Sequence, residues 1–255
     1  MTGPVVSRAL SFDTAAAQYA ANRPSYPPAV LDSVEEITGR AVSGARVADV
    51  GAGTGIATAL LLERGAEVIA VEPGGGMAAE FRRALPDVPV VRGDGNRLPL
   101  ASHSCDLVTY AQSWHWTDPS RSVPEALRVL RPGGALALWW NTQATDEPWA
   151  AAQDARIAHR CGVAPKDRKR PDDIHAGRLA GLSGLPFARR LLRWSRVVPL
   201  DTHLANVTSH SAFLVLGEAG TREFLAEERA VLGGVFPGGM VEETYLVDLL
   251  VVAKP

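Results

Sequence analysis

In the stretch VADVGAGTGIAT, Val47 to Thr58, glycines stand at alternate positions as Gly51, Gly53 and Gly55. Glycine has no Cβ and tolerates positive φ, so a backbone this bare lets a ligand press against the main chain. Carboxylates accompany it. Asp49 comes two residues before the first glycine, Glu72 closes an apolar run in AVEPGGGM, and Asp94 follows another run in VRGDGNRLPL. A further apolar run leads into YAQSWHW, Tyr110 to Trp116, which offers Gln112, Trp114, His115 and Trp116. Carboxylates accept from ammonium groups, aromatic faces suit cations, and a histidine titrates near neutral pH.

Such residues act together only if a scaffold brings them to one edge. The pattern supplies one: strands at Arg46–Val50, Glu67–Val71, Val88–Val91, Cys105–Tyr110 and Ala135–Trp140 alternate with helices at Ile56–Arg64, Met77–Leu85 and Val123–Leu130. Gly65 and Pro86 end the first two helices, and RPGG forms a turn after the third. Strand alternating with helix means a parallel sheet covered on both faces, with ligands bound outside the carboxyl ends of its strands. Ahead of this core, Asp13–Ala21 reads as a short helix, Pro24, Pro27 and Pro28 force an extended loop, and Ala29–Thr38 is helical again. After Asn141 the pattern loosens. A helix is expected over Glu147–Cys161, a charged loop at PKDRKRP, a sixth strand at Trp194–Leu200, one or two helices in Phe213–Leu232 and a final strand at Leu246–Ala253.

The spacing narrows the ligand. A dinucleotide fingerprint is G-x-G-x-x-G, whereas here Ile56 takes the place of its last glycine. The Gly-Lys-Ser/Thr of a phosphate loop is absent. Asp49 beside a pyrophosphate would be repulsive, but it would accept from an ammonium. The turn therefore suits a ligand with an amino-acid end and no phosphate. Glu72, at the end of the second strand, has the place from which an acid accepts ribose hydroxyls.

Composition sets the outer limits. The 255 residues are 46% hydrophobic and 21% charged, ordinary for a globular domain with a sizeable core. A net charge of -2 gives no global field toward nucleic acid or an anionic membrane. Cysteines are limited to Cys105 and Cys161, which argues against a disulfide scaffold or a cysteine metal site. No run is apolar enough to span a bilayer, and the first residues do not form a secretory signal, so a cytoplasmic protein is expected.

VADVGAGTG resembles the first motif of class I S-adenosylmethionine-dependent methyltransferases, specifically a small-molecule subgroup of the type 11, trans-aconitate methyltransferase-like kind. The resemblance is good over residues 10 to 140. It implies a Rossmann-like α/β fold: a seven-stranded, mostly parallel sheet with helices on both faces, an antiparallel last strand and helical cap elements. It implies S-adenosyl-L-methionine as cofactor, S-adenosyl-L-homocysteine as product, and no metal. Gly51, Ala52, Gly53, Thr54 and Gly55 would form the cofactor loop, with Asp49 behind it and Glu72 on the ribose. Pro73 and Met77 would line the adenine. Asp94 and Gly95, in a segment similar to the family's G-D-A-x-x-L-P, would meet the adenine edge, with Leu98 beside the base. Ala111 and Gln112 would close the cofactor end of the fourth strand. YAQSWHW resembles the A-Q-x-x-H-W segment of the subgroup, which makes His115 and Gln112 the catalytic candidates; His115 acts as a general base or orients a loop. Tyr19 and Arg23, in YAANRPSYP, would close over the methionine moiety. Tyr26, Trp114, His115, Trp116 and His210 would line the acceptor pocket.

The expected domain plan is a single unit. Residues 1–44 are lid helices, 45–140 the cofactor core, 141–240 the substrate cap with the sixth strand, and 241–255 the last strand. The expected activity is in-line methyl transfer to a small-molecule O, N, S or C nucleophile, a carboxylate among them, by a monomer or homodimer without nucleic-acid or membrane partners. Two alternatives share the ligand: another sulfonium reaction, such as an intramolecular cyclisation, and a cofactor-binding protein without turnover.

Overall fold

The computed structural model describes residues 23–163, 176–177, 180–209 and 211–254. A seven-stranded sheet in the order β3-β2-β1-β4-β5-β7-β6 forms its centre. The elements run α1 (Ala29–Thr38), β1 (Arg46–Val50), α2 (Ile56–Glu63), β2 (Glu67–Val71), α3 (Gly75–Ala84), β3 (Val90–Val91) and β4 (Cys105–Ala111). They continue through a 3-10 turn (Trp114–Trp116), α4 (Pro119–Val129), β5 (Leu130–Gln143), α5 (Pro148–Cys161), β6 (Ala188–Pro199), α6 (Leu200–Thr208), a second 3-10 turn (Ser211–Val215), α7 (Gly217–Val235) and β7 (Met240–Ala253). β1 lies parallel to β2 and β4, and β4 to β5, while β7 runs antiparallel between β5 and β6. This is the expected mostly parallel sheet with an antiparallel last strand.

Strand periodicity builds two cores. Successive side chains leave opposite faces of a strand, so Val47, Leu107, Ala137 and Leu249 meet α1 and α2 on one face. Ala48, Val108, Leu138 and Leu250 meet α4 on the other. Helix α1 is thus a core element: Val30, Leu31 and Val34 are buried against the sheet.

Several boundaries differ from expectation for local reasons. Helix α4 starts at Pro119 because the Asp118 side chain accepts from Ser120 N–H and Pro119 takes the first helical position. Strand β5 passes through RPGG instead of turning there, since Gly133 N–H donates to Lys254 O (3.1 Å) and Lys254 N–H to Gly134 O (2.7 Å). Strands β6 and β7 start well before Trp194 and Leu246, where they pair with each other from Pro199↔Met240 onward. The expected helix Asp13–Ala21 and the loop PKDRKRP lie outside the described residues.

Candidate active site

A cleft of about 470 Å³ opens outside the carboxyl ends of β1, β2, β4 and β5. Its floor is the glycine loop after β1. Gly51, Gly53 and Gly55 all have positive φ, at 68°, 59° and 95°. The three glycines nevertheless answer different needs. A Cβ on Gly51 would strike the Ser113 side chain, whose Oγ–H donates to Val50 O (2.5 Å). A Cβ on Gly55 would meet Leu85 Cδ1 at 2.7 Å and the Phe81 ring. Gly55 therefore lets α3 pack against the start of α2 and is not among the residues lining the cleft. Gly53 does line it, and a Cβ there meets nothing within 4 Å. Beside it, buried Thr54 Oγ has no hydrogen-bond partner among the described residues.

The carboxylates divide in the same way. Glu72 is only 6% exposed and accepts from Gly53 N–H (2.8 Å) and Gly74 N–H (2.7 Å). Those two bonds fix the carboxylate between the first loop and the end of β2. Asp49 is fully buried, with Oδ2 accepting from Thr58 Oγ (2.6 Å) and Oδ1 from Thr109 Oγ (3.0 Å). Burial pushes its pKa up despite both bonds, the state of a carboxylate short of a cation. Asp94 is exposed at the rim, and its Oδ1 accepts from the backbone and side-chain nitrogens of Asn96, both at 2.9 Å. Pro73 and buried Met77 line the wall between Glu72 and Asp94. Gly95 is glycine for a visible reason: a Cβ would sit 3.0 Å from Thr117 Cγ2 and 3.1 Å from the Tyr110 ring, while Tyr110 Oη–H donates to Gly95 O (3.0 Å).

Beyond β4 the chain enters an uncommon conformation. Gln112 has φ 58°, its N–H donates to Trp139 O (2.9 Å) and its Nε2 to Asn141 O (2.6 Å). A non-glycine residue held there by bonds at both ends marks a functional position more often than an accident. The strain carries Ala111, His115 and Trp116 into the cleft wall. The His115 ring packs at 4.7 Å from the Trp116 ring and is accessible within the cleft. Desolvation by the surrounding protein lowers its pKa, though water at the open side screens part of that effect. Arg23 lines the opposite wall and donates to Ser209 O (3.3 Å). Tyr26 also lines it, edge-on to Trp139 at 5.8 Å.

Two expected site residues belong to the core instead. Leu98 is buried among sheet and α4 residues, and its N–H donates to Glu125 (2.9 Å). Trp114 is 2% exposed, packs edge-on against Tyr110 and donates from Nε1 to Ala180 O (2.9 Å). Like Gly55, they do not line the cleft. Tyr19 and His210 lie outside the described residues.

The sequence pattern did not single out the far wall. Asn141 and Gln143 at the end of β5, Asn206 of α6 and Tyr245 of β7 all line the cleft. Behind them sits a buried polar network. Glu243 is fully buried: its Oε1 accepts from His203 Nδ1–H (2.7 Å), and its Oε2 from Arg196 Nε (2.6 Å) and Tyr245 Oη–H (2.9 Å). Burial alone would raise this carboxyl. The His203 bond and the Arg196 and His203 charges prevail and hold it down at about 2. His203 Nε2 meets Gln153, which bonds Glu228, and Glu228 takes both arms of Arg156.

The architecture has known counterparts. A methyltransferase-domain family model matches residues 48–138, the stretch from β1 to β5 that carries the glycine loop, Glu72, Asp94 and His115. An uncharacterized methyltransferase of Mycobacterium tuberculosis is 43% identical over 159 residues, covering 62% of this chain and 63% of that protein. The chain thus aligns with a little under two thirds of that relative's length. A demethylmenaquinone methyltransferase of Beutenbergia cavernae is 40% identical over 108 residues, covering 42% of this chain and 44% of that protein. A solved structure described as a type II methyltransferase, from Anaeromyxobacter dehalogenans, shares the fold with a TM-score of 0.67 at 24% identity, over 91% of this chain and 97% of that one. Residues 48–138 thus match a methyltransferase domain, and the sheet order and fold are similar to those of S-adenosylmethionine-dependent methyltransferases.

Proposed function

We propose that the chain transfers the methyl group of S-adenosylmethionine to a small-molecule acceptor. One observation carries this reading. A single cleft runs from the glycine loop, Glu72 and Asp94, past Gln112 and His115, to a wall of uncharged polar side chains. Donor and acceptor would share that space. The residues present fit the cofactor. Gly53 leaves an open cradle, Thr54 Oγ is a buried hydroxyl awaiting a partner, and Asp49 is a buried acid at the cleft, oriented by Thr58 and Thr109. Glu72 and Asp94 would hold the ribose and adenine ends, Asp49 the ammonium, and Arg23 the carboxylate of the methionine part. When bound, the cofactor supplies a methyl carbon already activated by positive sulfur, which keeps the electron pair as the bond breaks.

What remains for the chain is alignment, and well-oriented reactants gain effective molarities on the order of 10⁵ M or more. Gln112, locked by its two backbone partners, sets the wall beside the reacting centre. His115, which lines the cleft beside Trp116, takes the proton that an oxygen or nitrogen nucleophile must lose. Residues 141–240 would contribute the cap that chooses the acceptor, facing Arg23 and Tyr26 in the wall of the cleft. The Beutenbergia cavernae relative is named for demethylmenaquinone, a small molecule, which favours an acceptor of that scale.

The test has two stages. Calorimetry of the full chain with S-adenosylmethionine and S-adenosylhomocysteine should show binding of both, lost in Glu72→Gln. Incubation with methyl-labelled cofactor and a metabolite extract should then label a small product, and His115→Ala should slow that labelling more than it weakens cofactor binding. No binding of either nucleoside defeats the site. Binding with methylthioadenosine as the product would establish the cyclising alternative instead.

A further inference from the structure

The wall opposite the cofactor loop holds two buried polar atoms with no partner among the described residues: Gln143 Nε2, a donor, and Asn206 Oδ1, an acceptor. They flank the same residue. Gln143 of β5 lies directly opposite Tyr245 of β7, which sets their side chains on one face of the sheet. Asn206 of α6 reaches the same tyrosine, donating from Nδ2 to Tyr245 Oη at 3.0 Å.

The orientation of the Asn206 amide is dictated from behind. Its Nδ2 also stands 3.4 Å from Glu243 Oε1, a carboxylate that only accepts. Turning the amide over would set Oδ1 against that negative oxygen. Oδ1 is therefore fixed on the side away from Glu243, as a buried acceptor on a cleft-lining side chain only 5% exposed. A buried donor and a buried acceptor without partners each cost free energy, which a ligand with the complementary atoms recovers.

We propose that Gln143, Tyr245 and Asn206 form the acceptor-recognition patch of this cleft, and that it takes a neutral group presenting a hydrogen-bond donor beside an acceptor, such as a carboxamide or a hydroxyl next to a carbonyl. A carboxylate offers acceptors alone. It would satisfy Gln143 and confront Asn206 Oδ1 with the Glu243 charge behind it. An ammonium would satisfy Asn206 and leave Gln143 unmet. Glu243 acts here as a positioning residue, through Asn206 and Tyr245. The proposal rests on the methyltransferase reading, which makes this wall the acceptor side.

Matched probe pairs test it on the full chain saturated with S-adenosylhomocysteine: 2-hydroxybenzamide against 2-hydroxybenzoate, and pentanamide against pentanoate, titrated by calorimetry or by chemical-shift changes. The amide of a pair should bind at least about tenfold more tightly than its carboxylate. Asn206→Leu and Gln143→Leu should each erase that preference while S-adenosylhomocysteine affinity stays within about twofold. Glu243→Gln should narrow the gap as well, because a neutral neighbour lets the Asn206 amide turn over; if that variant is unfolded, the two leucine variants decide alone. Carboxylates binding as well as amides, no probe binding at all, or a preference that survives Asn206→Leu overturns the patch. Failure of S-adenosylhomocysteine to bind the unmutated chain overturns the methyltransferase reading, and is seen before any probe is added.

Discussion

Gly51 and Gly53 share a positive φ, yet they guard different things. An alanine at Gly51 collides with Ser113 and is strained in its backbone, so Gly51→Ala should lower stability by about 2 kcal/mol or more, read as a fall in the unfolding midpoint. Gly53→Ala has only the backbone cost, about 1 kcal/mol, because its Cβ projects into open space. That space is the proposed cofactor cradle, so Gly53→Ala should instead weaken S-adenosylmethionine binding about tenfold or more by calorimetry. Asp49 makes a second contrast. Its pKa in the folded chain is raised, so its ionised form subtracts stability at all pH values above its ordinary 3.8. Asp49→Asn should therefore raise the unfolding temperature of the ligand-free protein at pH 7 and still reduce cofactor affinity; a fall in both would show that the Thr58 and Thr109 bonds outweigh the desolvation. At this scale the sequence was readable where spacing implied backbone shape or charge: the glycine loop, Glu72 and Asp94 all stand at the cleft, while the left-handed bend at Gln112 was not visible in it. It was unreadable where identical chemistry has two destinations. Trp114 and Trp116 look equivalent in YAQSWHW, but a 3-10 turn sends one into the core and the other to the cleft. Leu98 has the position of a base-packing residue and is claimed by the α4 face of the sheet.

The cap elements α5, α6 and α7 are joined to β6 and β7 by charged and polar groups as well as by buried apolar side chains such as Leu204 and Leu232. Gln153 and Arg156 of α5, His203 of α6 and Glu228 of α7 join Arg196 of β6 and Glu243 of β7 in one buried run. Such networks are costly to break at one partner. His203→Ala leaves Glu243 short of its strongest support and should cost about 3 kcal/mol in stability by denaturant titration. The network also carries a pH signature. The folded pKa of Glu243 is about 2, below the ordinary 4.5, so its contribution is complete above pH 4.5 and fades as the pH falls toward 2. Melting temperatures recorded from pH 6 to pH 2 should drop through that window, and Glu243→Gln should flatten the drop. This buried acid also explains why the first half of β7 was illegible. MVEETYLV alternates inward and outward as a strand does, but two of its inward positions are Glu243 and Tyr245, which hydrophobic patterning scores as surface. The core strands, by contrast, are short apolar runs bounded by turn residues, and they stand out without help.

The described residues form two large apolar cores, one on each face of the sheet, a small cluster of Ala52, Ala70 and Phe81 beneath α3, and another of Cys161, Val207, Phe213 and Phe224 in the cap. A cap whose apolar packing is divided among small groups of side chains opens more readily than the sheet. Hydrogen exchange should accordingly be slowest in β1, β4 and β5 and faster in α5 to α7. Saturating S-adenosylhomocysteine should slow exchange in the loop after β1, where Gly51, Ala52 and Gly53 line the cleft. Equal protection in cap and sheet would mean the polar network alone makes them one cooperative unit. The strand order carries a last consequence. β6 reaches the rest of the sheet solely through β7, which follows it in the chain by some forty residues. During translation a finished β6 can rest Leu192 and Trp194 on the existing core but has no strand partner for its backbone, while β5 keeps a bare hydrogen-bonding rim. The nascent chain thus passes through a stage in which two unpaired borders coexist, and chaperone capture or misassembly between neighbouring ribosome products belongs to that interval.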